Sequence, residues 1–116
     1  MSTLEPGARA PRDPPGPAPI FAALGDRTRL SLLSRLSDGR ARSIATLSAD
    51  TRLTRQAVTK HLHVLQDAGL VTSARVGREA RFAYRPEPVI EARDFLEQVS
   101  AQWDDALSRL KTFVDG

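Results

Sequence analysis

Residues 53–71 read LTRQAVTKHLHVLQDAGLV, and this stretch decides the fold. Thr54 is a good N-cap, because its hydroxyl can accept a free backbone N–H at a helix start, and Gly69 is a natural terminator. Projected at about 100° per residue, Val58, Leu62 and Leu65 fall on one side, which the spacing predicts to be buried. Gln56, Thr59, Lys60 and His63 cluster within about 100° on the opposite side, with Arg55 at the edge of that arc. The arc carries hydrogen-bonding and cationic groups and meets no carboxylate before Asp67. Gln pairs bidentately with adenine, Arg or Lys with guanine, and Thr reaches a base edge or a thymine methyl. An ordinary solvated helix face can look this polar, so its neighbours decide the reading.

Immediately upstream, Ser43 is placed to cap a third helix of roughly eight residues, with Ile44 and Leu47 inward. A short break at Asp50–Leu53 separates it from the helix opened by Thr54. Two short helices joined by a tight turn form a helix-turn-helix. Downstream, Leu70 to Val76 and Ala80 to Arg85 alternate as two strands, with Phe82 and Tyr84 on one face and Arg81, Ala83 and Arg85 on the other. Gly77-Arg78-Glu79 is the expected turn, and a hairpin in this position is a wing. Arg75, Arg78 and Arg81 make it cationic, and Arg78 at the tip can reach a phosphate or a minor groove. The same charges also protect an edge strand from unwanted pairing.

Further out, Pro19 opens a short helix with Ile20, Phe21 and Leu24 as its apolar face, broken by Gly25. Asp26 caps a second helix over about 27–37, with Leu30, Leu32, Leu33 and Leu36 inward and Arg27, Arg29 and Arg35 as polar punctuation. After Pro86 and Pro88 comes a last helix, about 89–114, in which Val89, Ala92, Leu96, Val99, Trp103, Leu107, Leu110 and Val114 recur three or four apart. At 1.5 Å per residue it runs about 39 Å, too long for so small a domain to cover. A second copy related by a two-fold axis is therefore expected on the stripe, with Phe21, Leu24, Leu96, Val99, Trp103, Leu107 and Leu110 at the seam.

Composition agrees. The chain has 116 residues. Residues 1–18 hold Pro6, Pro11, Pro14, Pro15 and Pro17 without apolar periodicity and read as a disordered arm, leaving 19–114 as one DNA-binding and dimerisation domain. Net charge is +3, unevenly spread: residues 27–85 hold 12 Lys/Arg against 4 Asp/Glu, and residues 86–116 hold 3 against 7. A basic middle with an acidic tail suits a domain that turns one face to a polyanion. The absence of cysteine excludes a disulfide scaffold, a thiolate metal site and a cysteine nucleophile. His61 projects inward and His63 outward, with no third histidine, so no metal site and no cofactor are expected. No catalytic motif occurs, and adjacent Asp104 and Asp105 diverge on a helix, so no enzyme is expected. No apolar run approaches the ~20 residues of a membrane span, and no basic start precedes an apolar stretch at the N-terminus; a cytoplasmic protein is expected.

The stretches Leu24-Gly25-Asp26-Arg27-Thr28-Arg29-Leu30, Leu53 to Val71, Gly77-Arg78-Glu79 and Tyr84 resemble the ArsR/SmtB family of bacterial winged-helix regulators. The resemblance covers about residues 19–114. It implies a mainly α fold with a small β-hairpin, a winged helix-turn-helix of about five helices, dimeric through its first and last helices. It implies a repressor that binds double-stranded DNA at an inverted-repeat operator. By position, Arg55, Gln56, Thr59 and Lys60 match the family's DNA-reading residues and Arg78 its wing contact. Family metal sensors carry Cys-x-Cys near residues 43–50, where this chain has Ile44-Ala45-Thr46-Leu47-Ser48, so it resembles a cysteine-free branch without soft-metal or thiol sensing. Glu91, Asp94, Glu97, Asp104 and Asp105 read as a solvated face.

A second reading is a winged-helix protein-interaction module that does not bind DNA, using the acidic last helix with Phe95, Trp103 and Phe113. The cations kept at Arg55 and Lys60 argue against it. A small-molecule effector cavity at the dimer seam, lined by Trp103, Phe95 and Phe21, stays open as an addition; such residues are also ordinary interface core.

Overall fold

The computed structural model of the chain describes residues 16–115. The expected disordered arm lies outside the described residues as far as residue 15. Its last two positions enter the first helix, with Pro17 at the N-cap and Ala18 at the start. The order is α1 (Ala18–Leu24), α2 (Arg27–Leu36), β1 (Arg42–Ser43), α3 (Ile44–Thr51), α4 (Arg55–Asp67), β2 (Val71–Val76), β3 (Glu79–Tyr84) and α5 (Glu87–Asp115).

The three caps expected from sequence are made. Asp26 accepts the Arg29 backbone N–H, Ser43 that of Thr46 and Thr54 that of Ala57. Each side chain satisfies a donor that a helix start leaves free. Fully buried Leu32, Leu36, Leu47, Val58, Leu62 and Leu65 bring α2, α3 and α4 onto one core, which Leu70, Val71 and Phe82 of the wing close. Burying one such leucine contributes about 2 kcal/mol.

The C-terminus of α4 aims the wing. Gly69 has φ +78°, a left-handed value that favours glycine. The Leu70 N–H donates to Leu65 O at 2.9 Å and the Gly69 N–H to Gln66 O at 2.9 Å, a Schellman pair. The chain turns there directly into β2. In the hairpin Val76 pairs with Glu79, so the loop is the two residues Gly77-Arg78, with Gly77 at φ +65°.

The turn is thus one residue shorter than the expected Gly77-Arg78-Glu79, because Glu79 already pairs in β3, and other details depart from expectation too. The hairpin is part of a three-stranded antiparallel sheet in the order β1-β3-β2, because Arg42 pairs with Phe82 and Ser43 with Arg81. A two-residue strand has no periodicity and exists only through its partner. Leu30, expected inward, is 49% exposed. The α2 leucines spread over about 160° of the helix, and Leu30 lies at the rim of that arc. The last helix begins at Glu87 rather than near 89, with Pro88 in its first turn, where a missing N–H costs nothing.

Candidate nucleic-acid interface

The turn into α4 is held by short-range bonds. Arg52 adopts the left-handed conformation at φ +62°, and its N–H donates to Ser48 O at 2.9 Å. The Ser48 hydroxyl donates to Leu53 O, and Thr51 Oγ1 accepts the Leu53 N–H at 3.4 Å. These bonds set the angle between α3 and α4 before any partner arrives. With Val58, Leu62 and Leu65 buried, α4 can turn only its other face outward.

That outward face carries Arg55, Gln56, Lys60 and His63, all exposed, with Thr59 half-buried. The Thr59 hydroxyl donates to Arg55 O at 2.7 Å, which leaves its oxygen lone pairs as the free polar function. Arg55 and Thr59 line a groove whose other walls are Ser43, Ile44 and Ala45 at the start of α3 and Arg78, Glu79 and Ala80 of the wing. Lys60 and His63 line a separate concavity one turn on, with Arg29, Ala57, His61 and Val64. Gln56 lies between the two, exposed.

The wing divides its cations. Arg75 pairs with Ala80 and shares the sheet face that carries Ala80 and buried Phe82. Arg81 alternates to the opposite face, and its guanidinium lies 3.2 Å from Glu79. Arg78 stands exposed at the turn. Among the described residues, Arg55, Lys60, Arg75 and Arg78 have no carboxylate within salt-bridge distance, whereas Arg42, Arg81, Arg85 and Arg93 do. The groove between α4 and the wing thus holds two cations, Arg55 and Arg78, that have no carboxylate within salt-bridge distance, with Glu79 as its one acidic wall residue.

Sequence reasoning missed what holds this surface in place. Arg29, taken as polar punctuation, donates from Nε to Ala23 O at 2.6 Å and from Nη2 to Ala22 O at 3.2 Å, closing the end of α1. Arg42 clasps Asp38 with two bonds, at 3.0 and 2.8 Å, and holds that carboxyl far below its usual range. Nothing in residue spacing marks Arg29, since its acceptors belong to a neighbouring helix. The D-x-x-x-R spacing at Asp38 and Arg42 was the available signal for the second pair.

The residues expected at a seam divide as well. Phe21 and Leu24 are half-buried against the core, and the Phe21 ring meets Phe95 of the same chain at a 6.0 Å centroid distance. Leu96, Trp103, Leu107 and Leu110 are each more than half exposed, and Val99 is intermediate. Among the described residues no group of three or more His, Asp or Glu side chains is placed to hold a metal, and no helix is long and apolar enough to cross a membrane.

A family model described as a helix-turn-helix domain matches residues 24–74. An uncharacterized HTH-type transcriptional regulator of Bacillus subtilis (strain 168), YuzN, is 43% identical over 76 residues, covering 60% of this chain and 83% of that relative. An ArsR-like transcriptional regulator from Rhodococcus sp. RHA1 superposes with a TM-score of 0.75 at 38% identity, over 84% of this chain and 91% of that one. A homodimeric winged helix-turn-helix DNA-binding domain from Mycobacterium bovis, 24% identical, matches over 73% of this chain and 78% of that one with a TM-score of 0.59, which speaks to the fold alone.

Proposed function

Because the chain belongs to the ArsR-like family of helix-turn-helix transcriptional regulators, we propose that it is a homodimeric repressor that binds an inverted-repeat DNA operator. One observation carries the reading: the outward face of α4 presents Arg55, Gln56, Lys60 and His63 with no carboxylate before Asp67, beside a wing whose Arg75 and Arg78 have no acidic partner among the described residues. In this reading α4 lies in the major groove. Gln56 and Lys60 face base edges, and Thr59 offers its oxygen and methyl group. Arg55, Arg78 and Arg75 neutralise phosphates on either side of the groove, and His63 and Arg81 lie at the margin of the contact. Residues 19–114 serve as one DNA-binding and dimerisation domain.

Two-fold symmetry follows from the operator chemistry. One α4 covers only a few base pairs, and a dimer that sets two such helices about 34 Å apart reads two half-sites on one side of the duplex. The exposed apolar residues of α5, Leu96, Trp103, Leu107, Leu110 and Val114, support the same arrangement. Repression follows from occupancy, since a protein seated over a promoter blocks polymerase without further chemistry. Sites of action in the cytoplasm, no catalytic activity and no bound cofactor belong to the same reading.

The test is a gel-shift titration against the DNA upstream of the chain's own gene, with competitor DNA and at several salt concentrations. A specific complex in the nanomolar range, weakening steeply with salt, is expected. No shift at low salt would remove the reading.

A further inference from the structure

Among the described residues one side-chain hydrogen bond joins α4 to the wing: Gln66 Nε2 donates to Ser73 Oγ at 3.1 Å. We propose that Gln66 is a positioning residue, which through Ser73 fixes the wing alongside α4 and so sets the distance from the outward arc of that helix to the phosphate grip at Arg78. The inference rests on the DNA-binding reading above and adds what holds the width of its groove.

The wing is anchored at its foot. Leu70 and Val71 are buried, and the Arg85 N–H donates to Leu70 O at 2.9 Å. Ser73 pairs across the hairpin with Phe82, the outermost buried residue of the two strands. At the same height β1 supports the other side of β3, through Arg42 with Phe82 and Ser43 with Arg81. The order β1-β3-β2 leaves β2 at the sheet edge, and from Thr72 onward every residue of β2 is exposed. Gln66 therefore holds the free edge of the sheet at the last level where the hairpin still reaches the core. Beyond Ser73 the strand runs about 10 Å further, to Val76, before the turn that carries Arg78.

The spacing on α4 suits Gln66 to this task. Projected at about 100° per residue, Arg55, Thr59 and Gln66 fall within about 40° of one another. Arg55 and Thr59 line the groove that Arg78 also lines, so this edge of α4 faces the wing. Gln66 lies about 16 Å from Arg55 along the helix axis. The wing thus runs back beside α4, tied by the hydrogen bond at one end of the groove, with Arg55 and Arg78 at the other.

Leverage makes so small a bond matter. A six-residue strand is about 20 Å long, so a tilt of about 10° at its foot moves the tip by about 3 Å, a whole hydrogen-bond length. Phosphate contacts fix a protein's place on the duplex, and a shift of that size takes Arg78 off its phosphate. Both partners are exposed, so the bond adds little to the stability of the fold.

The experiment titrates the full chain against a labelled random-sequence duplex across a salt series. Gln66→Ala and Ser73→Ala are each expected to reduce the slope of log K against log salt by about one, as Arg78→Ala does. Ser73→Thr keeps the hydroxyl and should keep the wild-type slope. Added to Arg78→Ala, Gln66→Ala should change nothing further, because it acts through that residue. Urea midpoints should stay close to the wild type throughout. Without DNA, the backbone amides of residues 74–80 should exchange with deuterium several-fold faster in both alanine variants than in the wild type or Ser73→Thr. An unchanged slope in Ser73→Ala, or an equal loss from Gln66→Ala with and without Arg78, overturns the inference and leaves DNA binding standing. Exchange that is unchanged in both alanine variants overturns it as well. A wild type that binds no duplex removes the DNA reading itself, on which the exchange measurement does not depend.

Discussion

Asp26 Oδ2 accepts the Arg29 N–H at 3.0 Å and lies 3.8 Å from Nδ1 of His61, so one carboxylate caps α2 and faces the inner edge of α4. The same Arg29 closes the end of α1 through its side chain. Three helices thus meet at one polar cluster beside the exposed face of α4.

Asp26 is held below the ordinary carboxylate range, first by the Arg29 backbone N–H and then by the charges of Arg29 and His61. A lowered folded-state pKa gives stability that is present above the unfolded value and lost as pH falls through the folded one. Thermal melts at about pH 5 and about pH 3 should show a larger drop in Tm for the wild type than for Asp26→Asn, because asparagine keeps a cap without the titrating charge. At neutral pH Asp26→Ala should melt below Asp26→Asn.

Gln56→Ala and Lys60→Ala should each lower discrimination between operator and random DNA by about 1–3 kcal/mol, while non-specific affinity falls less. Fluorescence anisotropy against both duplexes gives the ratio directly. Both residues are exposed and make no side-chain contact that holds α4, so circular dichroism should be unchanged.

Arg78→Ala should weaken binding to all duplexes alike and reduce the slope of log K against log salt by about one. Arg81→Ala should do less, since its guanidinium already faces Glu79. Affinities measured across a salt series separate the two.

Leu62→Ala empties a fully buried position under the exposed face of α4 and should cost about 2–5 kcal/mol in urea unfolding. Its DNA affinity, measured well below the unfolding midpoint, should change much less than its stability.

Much of the fold was legible because its signals are local. Asp26, Ser43 and Thr54 each precede a helix and each caps it, and Val58, Leu62 and Leu65 lie where a 3.6-residue period puts them. What stayed hidden depends on partners distant in sequence. β1 exists through Phe82 and Arg81, and Arg29 acts on carbonyls of another helix. Leu30 shows the limit of periodicity: the pattern marks an apolar side, but only packing decides which leucine at its rim is covered. The outward arc of α4 could be read in advance, because burying Val58, Leu62 and Leu65 leaves Gln56, Lys60 and His63 nowhere else to point.

The most direct test of the central claim, that the outer face of α4 reads DNA sequence, is to sequence the genomic DNA that co-purifies with the wild-type chain and with Gln56→Ala/Lys60→Ala. The wild type is expected to enrich sites with two-fold related half-sites about one helical turn apart, and the variant to lose that enrichment while still retaining DNA at low salt. Enrichment of the same sites by the variant, or no enrichment by the wild type, would contradict the account.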